Sequence, residues 1–181
     1  MYCIAGFEKV KSTLEFSQMA NHNFRLHLTK EESKRIDSSR SHLNRILLNP
    51  LEVDTKKSGD LNKKIQDYYL KNEVQVKEDS VLAVDMVLTT SPEFFQDGNL
   101  KDGATWHKNG RIRPEYQKKI DEWVVAQMDF VKNLFGESAI KMAVLHLDET
   151  TPHIHIILTP EQTKVLKYKN QFGNLVKLLP P

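Results

Sequence analysis

Apolar positions along the chain fall into two periods, and the periods divide it into strands and helices. "YCIAGFEKV" (2–10) is an apolar run that predicts a strand. After it, Leu14, Phe16, Met19 and Ala20 fit a helix that Ser12 or Thr13 can cap, with Glu15 at the capping-box position. Residues 28–42 are polar and irregular, and Ser38-Ser39-Arg40-Ser41 reads as a loop before a short strand, "HLNRILL", which Asn49-Pro50 ends. Leu61, Ile65 and Tyr68 or Tyr69 recur at helical spacing, which predicts a second helix capped by Asp60. "SVLAVDMVLTTSP" (80–92) is the strongest strand, closed by Ser91-Pro92. A loop rich in glycine turns (96–113) leads to the clearest helix, 114–135. There Ile120, Trp123, Val124, Gln127 or Met128, Val131, Leu134 and Phe135 form one stripe, and Gly136 is the natural stop. Two more strands, 139–148 and 153–160, follow with four residues between them, and the tail 161–181 reads as a short helix.

Runs of strands interspersed with amphipathic helices predict an α+β fold, sandwich-like: a mostly antiparallel sheet of about five strands, helices chiefly on one face, functional groups on the other. At 181 residues the chain is long enough for one domain, expected over 1–160, with 161–181 as an extension leading into a longer region. Hydrophobic residues at 39% and charged residues at 28% fit a folded protein. No apolar run approaches the roughly 20 residues needed to span a bilayer, and no secretory signal opens the chain. The single cysteine, Cys3, excludes an internal disulfide and a cysteine zinc site; it reads as a small core residue in a cytoplasmic protein. The net charge of +2 points to no particular partner, although residues 25–64 carry ten Lys/Arg against six Asp/Glu, a mild bias compatible with phosphate contacts.

"HLDETTPHIH" (146–155) changes the picture, because it holds three of the seven histidines. If the strands on either side form a hairpin with loop 149–152, Asp148 faces His153, Leu147 faces Ile154 and His146 faces His155. His146, His153 and His155 then share one face, while Ile154, Ile156 and Leu158 point into the core. Three imidazoles unpaired would be costly to bury, and imidazole is the commonest metal ligand, so this face predicts a divalent metal site with open positions. Glu149 is a fourth ligand or an orienting group. The spacing is not the helical H-E-x-x-H of zinc proteases. An imidazole site with open positions can take Mn, Mg, Zn, Co or Ni, so ligand type constrains the metal only weakly.

Together with "ANHNFR", "DSSRSHLN" and "DYYLKNE…SVLAVDMVLTTSPEFF", in this order, the motif resembles the plasmid mobilisation relaxases of the Mob/Pre type, the MobV family of the His-hydrophobic-His endonuclease superfamily. The resemblance covers residues 1–160. It implies an enzyme that nicks one plasmid strand at the origin of transfer, keeps the 5′-phosphate as a covalent adduct and so initiates conjugative mobilisation. It implies His146, His153 and His155 as metal ligands, Glu149 as a supporting catalytic group and the histidine of "HNFR", His22, as nucleophile. Tyr68 and Tyr69 are the alternative nucleophiles, as in tyrosine-bearing replication initiators. If the first helix continues, Arg25 shares a face with His22 and can grip a phosphate. Arg40 is a second phosphate contact, Asn44 and His42 weaker ones, and Trp106, His107, Lys108, Arg111 and Arg113 could stack on or track a single strand. Implied partners are single-stranded or hairpin plasmid DNA and conjugation coupling machinery, with this fragment monomeric. The competing readings are a rolling-circle replication initiator, a non-catalytic DNA-binding regulator, and a hydrolase of small phosphoesters.

Overall fold

The structure, a computed structural model, describes residues 3–96, 112–160, 166–169 and 175–178. Two apolar runs form its centre: β4 (Ile140–His146) and β5 (His153–Leu158), with every residue of β4 buried. They lie in a five-stranded sheet of order β1-β3-β5-β4-β2, in which β1 is Cys3–Val10, β2 Arg45–Leu48 and β3 Ala83–Thr90. Every pairing in it is antiparallel. Strand β1 is an edge strand, so Cys3 is exposed and not in the core.

Side-chain alternation splits the core in two. On one face Ala143, Leu145, Ile154, Ile156 and Leu158 meet Ile120, Trp123, Val124 and Val131 of the long helix α5 (Pro114–Phe135). Burying each of these large side chains contributes roughly 1.5–3 kcal/mol. The apolar stripe ends at Val131: Leu134 and Phe135 are exposed in the last turn, just before Gly136 ends the helix at φ 85°, a conformation suited to glycine.

On the opposite face Met142, Val144 and Ile157 meet Phe16, Met19 and Ala20 of α1 (Thr13–Asn23) and Leu61, Ile65 and Tyr69 of α3 (Asp60–Lys71). This is also the histidine face. Helices therefore cover both faces of the sheet, and the histidines lie on the face that α1 and α3 cover, with His146 and His155 buried there and His146 against the last turn of α1. Ser12 and Glu15 form the expected capping box on α1. Gly59, not Asp60, is the N-cap of α3; Asp60 instead accepts the Asp54 N–H, fastening the loop ahead of the helix. Two short elements, α2 (Glu32–Arg35) and a 3-10 turn (Ser38–Leu43), give order to the stretch expected as loop. A further short helix, α4 (Pro92–Gln96), follows β3. In the tail, β6 (Leu166–Lys169) and β7 (Leu175–Leu178) pair antiparallel where a helix was expected. Trp106, His107, Lys108 and Arg111 lie outside the described residues.

Candidate metal centre

The hairpin β4–β5 presents its histidines in a register different from the expected one. His146 faces His153, Leu145 faces Ile154 and Val144 faces His155. The slip is two residues, so every side chain keeps its face. The turn lengthens to 147–152, because Asp148 leaves the ladder to be held elsewhere.

Rings of His22, His146, His153 and His155 gather at one end of the sheet, with the centroids of five of the six ring pairs 5.0 to 5.7 Å apart. One ring nitrogen from each lies within 4.8 Å of the other three. The partner of the other nitrogen decides which one is free. Nε2 of His146 is 2.9 Å from the Asn23 carbonyl and Nδ1 of His153 is 2.9 Å from the Thr151 carbonyl. A carbonyl only accepts, so both nitrogens carry protons, and Nδ1 of His146 and Nε2 of His153 are lone pairs if the rings are neutral. Burial above all, then the charge of His155, pushes His146 well below 6.5 and His153 down to about 4, so both are neutral at pH 7. The two lone pairs nevertheless face each other at 3.2 Å. A cation between them resolves that conflict. Metal–nitrogen bonds of about 2.0–2.2 Å place neighbouring ligand atoms roughly 3.0–3.5 Å apart. The residues present therefore fit a divalent metal.

His155 completes the set. Its Nδ1 is 2.9 Å from Asp85 in β3, and both side chains are about 9% exposed, so Nε2 is the nitrogen left available to a metal. Asp85 faces Ile157, next to the Val87–His155 pair, which makes it a diagonal neighbour of His155. Sequence reading passed over it, yet the signal was there: an aspartate inside "VLAVDMVL" must have a partner when the strand is buried.

His22 stands in the last turn of α1 with Nδ1 3.0 Å from Glu32. Burial first, then His155, lowers its pKa, against the pull of Glu32. Glu32 was also missed, although "TKEE" (29–32) has the capping-box pattern of threonine followed by glutamate three residues on.

The helix does not continue to Arg25. Asn23 is its last residue; Leu26 N–H donates to Asn21 and Arg25 N–H to His22, a Schellman cap with Arg25 at the left-handed position (φ 58°) where glycine is usual. From there all three guanidinium nitrogens find protein acceptors. Nε and one terminal nitrogen grip Asp148 at 3.0 and 2.6 Å, the same terminal nitrogen reaches Glu149 at 2.8 Å, and the other holds the His22 carbonyl. Asp148, fully buried, also accepts from Ser41 and Asn44. Arg25 and Asn44 thus hold the 147–152 turn, and Arg40 holds Asp37 at 3.0 Å and reaches the Glu149 carbonyl. Glu149 itself sits 3.6 Å from Nε2 of His153 and 4.0 Å from Nε2 of His22. The alternative nucleophiles lie on α3: the Tyr69 hydroxyl donates to the Leu82 carbonyl, and the Tyr68 ring lies 3.6 Å under the Lys141 ammonium.

The sequence profile of the Mob_Pre family, plasmid recombination enzyme, matches residues 1–110 and 112–179. The plasmid recombination enzyme of Streptococcus agalactiae is 30% identical over 174 residues, 94% of this chain and 30% of that protein. That of Lactiplantibacillus plantarum is 27% identical over 176 residues, 95% of this chain and 42% of that one. The chain thus spans less than half the length of these relatives. Among solved structures, the MobM relaxase domain, bound to Mn and to a 22-nucleotide oriT DNA of plasmid pMV158 with a 3′-thiophosphate, is similar with a TM-score of 0.67 and 27% identity, over 97% of this chain and 74% of that one.

Proposed function

The chain belongs to the plasmid recombination enzyme family, and from that premise we propose that it is a metal-dependent relaxase domain that cleaves and rejoins one strand of plasmid DNA at an origin of transfer. One observation carries the reading: a neutral imidazole, His22, stands beside three others whose free nitrogens converge as metal ligands do. The similar MobM domain is bound to Mn and oriT DNA, and the same pairing of ion and substrate is proposed for this chain.

His146 through Nδ1, and His153 and His155 through Nε2, would hold the ion. Bound there, a divalent cation supplies Lewis-acid polarisation of the scissile phosphate. Nε2 of His22 offers its lone pair to phosphorus; an N–P bond forms, the P–O3′ bond breaks, and the departing 3′-oxygen takes up a proton from water. The 5′-phosphate stays on His22 as a phosphoramidate, and attack by a 3′-hydroxyl reverses the step. Glu149, fixed by Arg25, keeps a carboxylate beside both Nε2 atoms. The N–H groups of Arg25, Arg40 and Asn44, engaged with Asp148, Glu149 and Asp37, hold together the wall that a phosphate would approach. His22 is favoured over Tyr69 because the Tyr69 hydroxyl is already committed to a backbone carbonyl. Single-stranded or hairpin DNA is the partner, with coupling machinery a further one and a monomer the working state of residues 1–160. The reaction places the protein in the cytoplasm. Separately, among the described residues no helix is long and apolar enough to cross a membrane.

The test is nicking of a supercoiled plasmid that carries the DNA flanking this gene, with Mn2+ or Mg2+. Open-circular product that disappears with EDTA and in His146→Ala, while a gel shift shows DNA still bound, is the expected result. Binding without metal-dependent nicking would identify a DNA-binding regulator instead.

A further inference from the structure

Glu32 does two things at once. Its Oε2 accepts the Thr29 backbone N–H and the Thr29 hydroxyl, both at 2.7 Å, while the Glu32 N–H lies 3.2 Å from that hydroxyl: a reciprocal, capping-box-like pair on the turn that leads into α2. Its Oε1 is thereby turned toward Nδ1 of His22, 3.0 Å away. A carboxylate only accepts, so Nδ1 of His22 carries the proton and the Nε2 lone pair is presented to the histidine cluster. The ring cannot easily turn over, because its neighbours on the other side are His146 and His155, with centroids at 5.7 and 5.1 Å.

We propose that Glu32 is the positioning residue of the strand-transfer reaction: anchored by Thr29, its carboxylate fixes the Nδ1–H tautomer of His22, keeps Nε2 free to attack phosphorus, and faces the positive charge that the ring acquires as the N–P bond forms. The last two roles rest on the reading of His22 as nucleophile; the tautomer does not. In the covalent step the Nδ1 proton stays between ring and carboxylate while the P–O3′ bond breaks, so atoms and charge balance without transfer to Glu32. The geometry matches the general requirement that a nucleophilic or basic imidazole be oriented through its other nitrogen.

Glu32→Gln is the sharp variant. The Thr29 N–H demands an acceptor, so the glutamine oxygen must take the place of Oε2, and its NH2 group then points at His22. That donor requires Nδ1 to be the lone pair and moves the proton to Nε2, the wrong tautomer for attack. The precedent for holding geometry while inverting a histidine tautomer is a loss of about 10⁴-fold in rate, and a fall of about 10³- to 10⁴-fold in nicking is expected here. Glu32 is half-buried and lies outside both hydrophobic cores, so the fold should persist, and an amide fingerprint spectrum of the variant checks this.

The experiment is 15N NMR of the full 181-residue chain with 15N-histidine, metal-free at pH 7.5, His22 being identified by the signal lost in His22→Ala. The expected wild-type pattern is a protonated Nδ1 and an unprotonated Nε2 on His22, inverted in Glu32→Gln. Mn2+ affinity should stay within about threefold of wild type, since His146, His153 and His155 are untouched. Nicking, measured in parallel, should fall as stated. A wild-type Nδ1 without a proton, or a Glu32→Gln chain that keeps both the wild-type tautomer and its nicking rate, would overturn the proposal. Inverted NMR signals together with a wild-type chain that never nicks would instead sustain the tautomer assignment and refute the relaxase reading.

Discussion

Replacing Asp148 with alanine should unfasten the turn that joins the two histidine-bearing strands. The carboxylate is fully buried and accepts four hydrogen bonds: from Arg25 at 2.6 and 3.0 Å, Ser41 at 2.7 Å and Asn44 at 2.8 Å. Removing one partner of a buried ion pair typically costs about 3–5 kcal/mol, because the other charge is left without its counterion. Arg25 retains Glu149 at 2.8 Å, which offsets part of that, so the loss should fall near the lower end, about 3 kcal/mol. For a chain of this size each kcal/mol moves the Tm by about 2–4 °C, so a drop of about 6–12 °C is expected. The effect also has a pH signature. Burial would raise the Asp148 pKa, but hydrogen bonds from Arg25 and Ser41 and the Arg25 charge outweigh it and hold the carboxyl below 3.8. A depressed folded pKa gives stability that is present above the unfolded value and lost as pH falls through the folded one. The gap between wild type and variant should therefore be constant from pH 5 to 7 and narrow below 3.8. Thermal melts measure the first and urea denaturation across pH 3–7 the second. A Tm within 2 °C of wild type, or a gap that does not close in acid, would refute the reasoning.

Asp85→Ala removes the group that fixes the His155 tautomer and should weaken Mn2+ binding about 10- to 100-fold by calorimetry; unchanged affinity would mean that Asp85 does not orient the ligand. In the metal-free chain, His153, with its pKa depressed to about 4, should make stability fall as pH drops from 6.5 toward 4, since the unfolded chain binds a proton there and the folded one does not; a flat profile over that window would contradict its burial. Tyr69→Phe should cost about 1 kcal/mol through the lost bond to Leu82 and, like Tyr68→Phe, leave nicking intact; loss of nicking in a folded variant would move the nucleophile to α3.

Much of this centre could be read from residue order, for physical reasons that differ between its parts. The histidines share a face because strand periodicity is two, so even a register misjudged by two residues left His146, His153 and His155 together. The capping box of α1 is a local interaction among Ser12 and Glu15, and local interactions are written in local sequence. Long-range partners are not. Nothing near Arg25 announces that its guanidinium closes on Asp148, 123 residues away, or that this requires a left-handed residue in place of a continuing helix. Asp85 and Glu32 could have been suspected, the first as a charge in an apolar strand and the second from its cap pattern, but which histidine each would serve depends on sheet order and on the placement of α2. The exposed Cys3 shows the same limit: an apolar run predicts a strand, while its place at the sheet edge follows from the pairing of the others.

The central claim is that His22, set against a metal held by three imidazoles, takes the DNA 5′-phosphate onto its ring. Trapping the covalent complex with a single-stranded oligonucleotide spanning the mapped nick, then digesting it and sequencing the nucleotide-bearing peptide by mass spectrometry, tests it most directly. The account predicts a phosphoramidate on His22, labile to acid and stable to base. An acid-stable adduct on Tyr68 or Tyr69 would contradict it.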